Sequence, residues 1–306
     1  MSAWSHCCME TLAVPRIAGR PDKATPFPSP RIPSRLHIYT QNAFGLPFTR
    51  RAKRFQALSG LIRGLAPDVA FLQEVLFAGD EKFFRIEGYH AAFVPNGVLN
   101  CGGLLTLCRA PLTRVRFHPF RAQGAWHTLQ LSDRLLGKGW LEAEASDWGI
   151  TLVNTHLVST YHESHHFVHD LEQQSQLEQV LREVAYLGPS VLAGDFNFTE
   201  GTPFHCMAEE GMEDVARGLY PLGLGRLLPK LDHIFVRSLG WREAQAKRVV
   251  PGTLAGARGA ASLSDHAGVS VELELGWEDL PCAATAQPDR ARETNQDDAA
   301  WAVTLN

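Results

Sequence analysis

Short apolar runs recur through the middle of the chain, at the length of strands rather than helices. "LHIYTQN" (Leu36–Asn42) alternates apolar and polar positions, and "DVAFLQEV" (Asp68–Val75) is nearly continuous, the pattern of a central strand covered on both faces. "GLLTLCR" (Gly103–Arg109), "WLEAEAS" (Trp140–Ser146) and "GITLVNTHL" (Gly149–Leu157) follow, and Asp147, Trp148 and Gly149 between the last two suit a hairpin. "SVLAGDFN" (Ser190–Asn197), "LDHIFVR" (Leu231–Arg237), "AKRVV" (Ala246–Val250) and "VSVELEL" (Val269–Leu275) complete the series. Two stretches carry helical periodicity instead. At about Arg51–Gly64, Phe55, Leu58, Leu61, Ile62 and Leu65 share a face; at about Ser164–Tyr186, Leu171, Leu177, Val180, Leu181 and Val184 do. Many strands with few helices predict an α+β protein, two packed sheets flanked by helices, rather than a regular βαβ series.

No internal repeat or long Gly/Ser linker divides this pattern, so one domain is expected over residues 34–277. Residues 1–33 read as a disordered tail in which Pro15, Pro21, Pro26, Pro28, Pro30 and Pro33 forbid regular ladders. Residues 278–306 lack apolar periodicity and read as a disordered acidic tail. At 306 residues and 45% hydrophobic content the chain can bury a large core. Its formal net charge of −4 argues against a protein living on dense phosphate contacts, while leaving room for a nucleic-acid enzyme whose positive potential is local or metal-borne. Cys7, Cys8, Cys101, Cys108, Cys206 and Cys282 match neither a zinc cluster nor a dense disulfide framework. With no apolar run of transmembrane length and no signal-peptide pattern, the expected location is cytoplasmic, with at most transient membrane contact.

Five apolar runs close on polar side chains. They end at Asn42, at Glu74, at His156, at Asp195 with Asn197, and in "SLSDH" at Asp265 and His266. A turn explains one such ending, because "GDFN" holds the Gly and Asn that turns favour, but not the acid beside them. Five together describe a site gathered at one rim of a sheet sandwich. Carboxylates with an amide suit a hard, oxygen-seeking cation such as Mg²⁺. Histidines without an acyl-transfer motif suit phosphate stabilisation and proton transfer. No dinucleotide fingerprint is present, since "NCGGLL" lacks its spacing.

In order, "QNAFGLP", "DVAFLQEV", "NTHL", "GDFN", "LDHIF" and "SDH" resemble the signature blocks of the endonuclease/exonuclease/phosphatase superfamily, across roughly Leu36 to Leu275. The resemblance implies a DNase-like, four-layered α/β sandwich and a phosphodiesterase or phosphatase using Mg²⁺ or Mn²⁺. It implies that Glu74 holds the metal, with Asn42 and Asp265 as metal or metal-water partners. Asp195 would polarise or deprotonate the attacking water, and Asn197 would orient it and touch the phosphate. His156 would contact the phosphate or help protonate the leaving group. His266 would stabilise the pentacovalent phosphorus or act as base, with Asp232 orienting it; which of Asp195 and His266 takes the proton stays open.

"SDRLLGKGWLEAEAS" resembles a segment of neutral sphingomyelinases in which an Asp–Lys pair, here Asp133 and Lys138, acts near the substrate. The sharpest expectation is therefore hydrolysis of a phospholipid headgroup at a membrane surface. A nuclease, apurinic or non-specific, or a phosphatase of the same fold is the alternative, with nucleic acid as partner in the first case. His162, His165, His166 and His169 are spaced to share a helix face and read as a polar face or site rim. Arg50, Arg51, Lys53 and Arg54 read as a solvated helix start close behind Asn42.

Overall fold

The structure is a computed structural model that describes residues 32–47, 50–123, 134, 137–159, 168–198, 207–219, 231–249, 264, 266–276 and 303–305. Its strands are β1 (Arg35–Asn42), β2 (Val69–Gln73), β3 (His90–Phe93), β4 (Pro95–Asn96), β5 (Leu99–Asn100), β6 (Leu105–Cys108), β7 (Leu112–Pro119) and β8 (Gly139–Ala145). They continue with β9 (Ile150–His156), β10 (Ser190–Asp195), β11 (Glu213–Asp214), β12 (Asp232–Arg237), β13 (Trp241–Val249), β14 (Gly268–Leu275) and β15 (Val303–Leu305). Two longer helices accompany them, α1 (Arg51–Leu65) and α2 (Val168–Val184).

A seven-stranded sheet runs β13-β14-β1-β2-β6-β3-β15 and a six-stranded sheet runs β11-β12-β10-β9-β8-β7. Both are mixed: β1 pairs β2 and β9 pairs β10 in parallel, while β8–β9 is the expected antiparallel hairpin. Successive side chains of a strand face opposite ways, and the core follows that rule. Leu36 and Ile38 of β1, Val69 and Phe71 of β2, Leu152 of β9, Val191 and Ala193 of β10 and Ile234 of β12 meet in one core between the sheets. The alternate residues face outward to the helices. Tyr39, Ala70 and Leu72 pack with Phe55, Leu58 and Ile62 of α1, and Val153, Leu192 and Phe235 pack with Leu177, Val180, Leu181 and Val184 of α2. The result is helix, sheet, sheet, helix, the four-layered sandwich.

Several local expectations shift. Leu171, expected on the buried stripe of the second helix, is 68% exposed, because in that part of α2 the inward positions are held by Gln173 and Gln176. The strand expected at Ala246–Val250 begins earlier, at Trp241, and its polar residues lie on an edge where, among the described residues, β14 is its one neighbour. Val303–Leu305, in the stretch expected to be a disordered tail, pairs antiparallel with β3.

Candidate active site

The period-two rule that builds the core also builds the site. Along the face turned to the opposite sheet, apolar residues give way to polar ones as the strands reach one rim. On β1, Leu36 and Ile38 are followed by Thr40 and Asn42; on β10, Val191 and Ala193 are followed by Asp195. Strand register then aligns them, since Asp195 lies opposite His156 on β9 and opposite Asp232 on β12. Three adjacent strands of the six-stranded sheet thus present His156, Asp195 and Asp232 in one row. From the facing sheet come Asn42, at the end of β1, and Glu74, one residue past β2.

The two sets meet through Asn42. Its Nδ2 donates to Glu74 Oε1 at 2.9 Å and to Asp195 Oδ2 at 3.0 Å. Its backbone N–H donates to Asp232 Oδ1 at 3.3 Å. Asn42 Oδ1 accepts the Phe44 N–H at 2.9 Å, which fixes the amide orientation, so toward the two carboxylates Asn42 acts as a donor. One layer deeper, Gln73 Nε2 donates to Asn154 Oδ1 at 2.8 Å, and Asn154 Nδ2 donates to the carbonyls of Leu72 and Leu105, both at 3.1 Å. This buried amide pair ties β2 to β9 directly behind Glu74 and His156.

His266, in the turn entering β14, completes the cluster. Its Nδ1 lies 2.8 Å from Asp232 Oδ2, and its Nε2 lies 3.7 Å from Asp195 Oδ2. Ser264 staples that turn, donating its hydroxyl to Asn42 O at 2.7 Å and accepting the His266 N–H at 3.1 Å. His156 Nε2 is 3.4 Å from Asp195 Oδ2. Asn197 donates its backbone N–H to Asp195 Oδ1 at 3.0 Å and its Nδ2 to Leu157 O at 2.9 Å. Lys138 is buried, with Nζ 3.5 Å from that same Leu157 carbonyl.

Burial sets the charge states. Asp195 is pushed above the ordinary carboxylate range by desolvation, with the Asp232 charge adding to the rise; His266, the Asn42 hydrogen bond and Lys138 oppose it. His156 is held well below the ordinary imidazole value, first by desolvation and then by the Lys138 and His266 charges. It is therefore neutral near pH 7, a hydrogen-bond donor or acceptor rather than a proton reservoir.

Backbone conformation is special at three of these positions. Glu74 and Asn197 are left-handed at φ 58° and 53°, an uncommon state for residues other than Gly that concentrates at functional sites. Gly194 does not turn the chain, because β10 runs through it to Asp195; a Cβ there would lie 1.9 Å from Thr155 O on β9. Gly45 of "NAFGLP" serves the same end, since its Cβ would lie 1.9 Å from Glu74 O.

Every expected site residue within the described residues converges on this rim: Asn42, Glu74, Lys138, His156, Asp195, Asn197, Asp232 and His266. Asp133 and Asp265 lie outside the described residues, as do His162, His165 and His166. The sequence reading passed over Ser264, Gln73 and Asn154, and only the neighbouring motif letters in "QE", "NTH" and "SDH" could have drawn attention to them. Arg51, expected as a solvated helix start, instead pairs with the buried Asp80 at 3.1 Å and lies over the Phe77 ring.

Among the described residues no group of three or more His, Cys, Asp or Glu side chains forms a metal cage. The donor chemistry nonetheless fits a hard divalent cation, because the Glu74 and Asp195 carboxylates reach one common amide and so bring acidic oxygen donors together.

Comparison with known proteins bears on the family and the fold. A Drosophila melanogaster protein named "Putative neutral sphingomyelinase" is 25% identical over 279 residues, which span 78% of this chain and 61% of that protein's length, under two thirds of it. Among solved structures, a humanized TDP2 from D. rerio superposes with a TM-score of 0.59 at 20% identity, covering 79% of this chain and 99% of the other. Beta toxin from Staphylococcus aureus gives 0.58 at 17% identity, covering 77% and 99%. At those identities the two structures establish the fold. The model of the Endonuclease/Exonuclease/phosphatase family, whose members hydrolyse phosphoric ester bonds and generally use divalent metal ions, matches residues 39–266, from Tyr39 of β1 to His266 itself; the chain belongs to that family.

Proposed function

We propose that this protein is a metal-dependent phosphodiesterase that hydrolyses a phospholipid headgroup, in the manner of a neutral sphingomyelinase. One observation carries the chemical part: the chain Asp232–His266···Asp195–Asn42–Glu74 sets a base, a water-orienting carboxylate and a cation-holding carboxylate around one space. Bound Mg²⁺ or Mn²⁺, held by Glu74 with Asn42 and Asp195 beside it, would neutralise charge on the phosphate oxygens.

The remaining roles belong to the side chains. Asp232 accepts the Nδ1–H of His266, which leaves Nε2 as the acceptor facing Asp195. His266 takes the proton of the attacking water as its oxygen bonds to phosphorus and the P–O bond to the lipid alkoxide breaks, the alkoxide taking a proton back from the His266 imidazolium or from solvent. Asp195, whose Oδ1 is tied to the Asn197 N–H, aims the water with Oδ2. The 3.7 Å between His266 Nε2 and Asp195 Oδ2 sets them as two acceptors for one water. Neutral His156 donates a hydrogen bond to a phosphate oxygen, and the buried Lys138 charge adds positive potential behind it.

The lipid part draws support from likeness to the Drosophila protein over most of this chain and from the Asp133–Lys138 segment. The formal charge of −4 weighs against a duplex-binding nuclease. Among the described residues no helix is long and apolar enough to cross a membrane. The test is a panel of sphingomyelin, phosphatidylcholine, phosphoinositide, plasmid DNA and abasic DNA, each with Mg²⁺ and with EDTA. Phosphocholine release that needs the metal, and that falls by about 10²–10⁴ in Asp195→Asn and His266→Gln, is expected. Cleavage of DNA and of no lipid would overturn the lipid reading; full activity in Glu74→Ala would overturn the assignment of the metal holder.

A further inference from the structure

Helix α2 carries glutamine at Gln173, Gln176 and Gln179, three residues apart and so along one face. All three amides reach the backbone of other segments. Gln173 Nε2 donates to Val158 O at 2.8 Å and to Asn197 O at 3.0 Å. Gln176 Oε1 accepts the Val158 N–H at 2.9 Å, and its Nε2 donates to Ala122 O at 2.8 Å. Gln179, at the exposed end, accepts the Arg121 N–H at 2.9 Å and donates to Pro119 O at 3.3 Å.

Gln173 and Gln176 are buried, at 6% and 0% exposure. An amide placed there is costly unless its hydrogen bonds are made, and a Leu would bury more apolar surface at less risk. Their bonds land on the segments that carry the site. Val158 lies two residues beyond His156, and Asn197 lies two beyond Asp195. Between them, Leu157 O takes the Asn197 Nδ2 and the Lys138 Nζ. Gln173 thereby closes a ring through Val158, Leu157 and Asn197, with one amide hydrogen on each side. The left-handed Asn197 is held from its carbonyl by Gln173, from its amide N–H by Asp195 and from its side chain by Leu157. A fourth glutamine, outside the helix, extends the frame: Gln123 accepts the Lys138 N–H at 2.9 Å and donates to Lys138 O at 2.8 Å.

We propose that Gln173 and Gln176 are positioning residues of the site, fixing the Asn197 and Leu157–Val158 backbone so that Asn197, His156 and Lys138 stand at their working distances. The proposal rests on the phosphodiesterase reading for its catalytic consequence, not for its geometry. Gln179 makes the same kind of bonds to Pro119 and Arg121, at the exposed end of the helix and outside the 157–158 and 196–198 segments, and so serves as the control.

The test compares Gln173→Met and Gln176→Met with Gln179→Met. It measures kcat and KM on bis(p-nitrophenyl) phosphate and amide hydrogen exchange of peptides covering 157–158 and 196–198. For the first two variants kcat is expected to fall about ten-fold or more at little-changed KM, because small misplacements cost rate rather than binding. Exchange in the matching peptide should quicken about ten-fold, while Gln179→Met moves neither. Gln173→Asn, one methylene shorter, gives the same comparison should the Met variant fail to fold. A rise in KM alone, wild-type exchange in both peptides, or an equal loss in Gln179→Met would overturn the proposal. If the wild-type protein turned over no phosphodiester, the functional reading would fail and the exchange data would still decide the positioning role.

Discussion

Asp195 sits where a carboxylate is least comfortable ionised, buried beside Asp232 and within reach of one neutral and one partnered histidine. Its raised pKa means the folded state binds a proton more readily than the unfolded chain does. The favourable contribution is therefore complete below the ordinary carboxylate value and is lost as pH rises through the folded value. At neutral pH, without metal, the ionised side chain is a net burden. Asp195→Asn removes that burden and keeps an oxygen for the Asn197 N–H, while its new NH2 faces the Asn42 Nδ2 that Oδ2 had accepted and offsets part of the gain. In EDTA at pH 7 the variant should melt higher than wild type by about 2–4 °C, the shift that ~1 kcal/mol gives a domain of this size. The gain should shrink as pH falls toward the range where Asp195 is protonated. A thermal melt in which Asp195→Asn is the less stable protein at pH 7 would contradict the electrostatic account. The same residue thus trades stability for a polar, anionic pocket, as functional residues commonly do.

At the scale of elements, the placement of Asp195 depends on how closely β10 lies against β9. Gly194 leaves no room for a Cβ, because the obstacle is the Thr155 carbonyl, backbone that cannot step aside without parting two ladder strands. Gly194→Ala should cost more than ~3 kcal/mol, well beyond an ordinary surface change, and lower the melting temperature accordingly; a melt within a degree of wild type would show that the strands have slack. The "GDFN" stretch alone reads as a turn, and only the register with "NTH" reveals why the glycine is there. Strands such as β2, β9, β10 and β12 were legible because two covered faces demand apolar runs, and β1 and β14 because they alternate. β3 ("HAAF") and β7 ("LTRVRFHP") were not. The first is too rich in Ala to look like a strand, and the second is an edge whose outward residues are polar. Helix α2 was legible as a helix, but its glutamines looked like a solvated face. Their partners are backbone groups of distant segments, which no periodicity can announce.

Across the whole molecule, the site belongs to neither sheet. Asn42, Glu74 and His266 come from the seven-stranded sheet; His156, Asp195 and Asp232 come from the six-stranded one. The polar residue types were readable at strand ends, but their meeting required the two sheets to dock at the register that Gln73 and Asn154 join. A cation bound at Glu74 and Asp195 would consequently bind the docked molecule and not the separated sheets. Its binding free energy then becomes folding free energy of the whole sandwich, about 2.7 kcal/mol at a concentration 100 times its dissociation constant. Saturating Mg²⁺ should raise the melting temperature of the wild-type protein by about 5 °C or more over EDTA. Glu74→Gln keeps the size of the side chain and an acceptor for the Asn42 Nδ2, so its melt in EDTA should stay near wild type. In Mg²⁺ it should show little or no rise, because a neutral amide is a far weaker ligand for a hard cation than a carboxylate. Calorimetry in matched Mg²⁺ and EDTA buffers separates the outcomes: an undiminished Mg²⁺-dependent rise in Glu74→Gln would place the cation elsewhere, and an absent rise in wild type would remove it from the junction between the sheets.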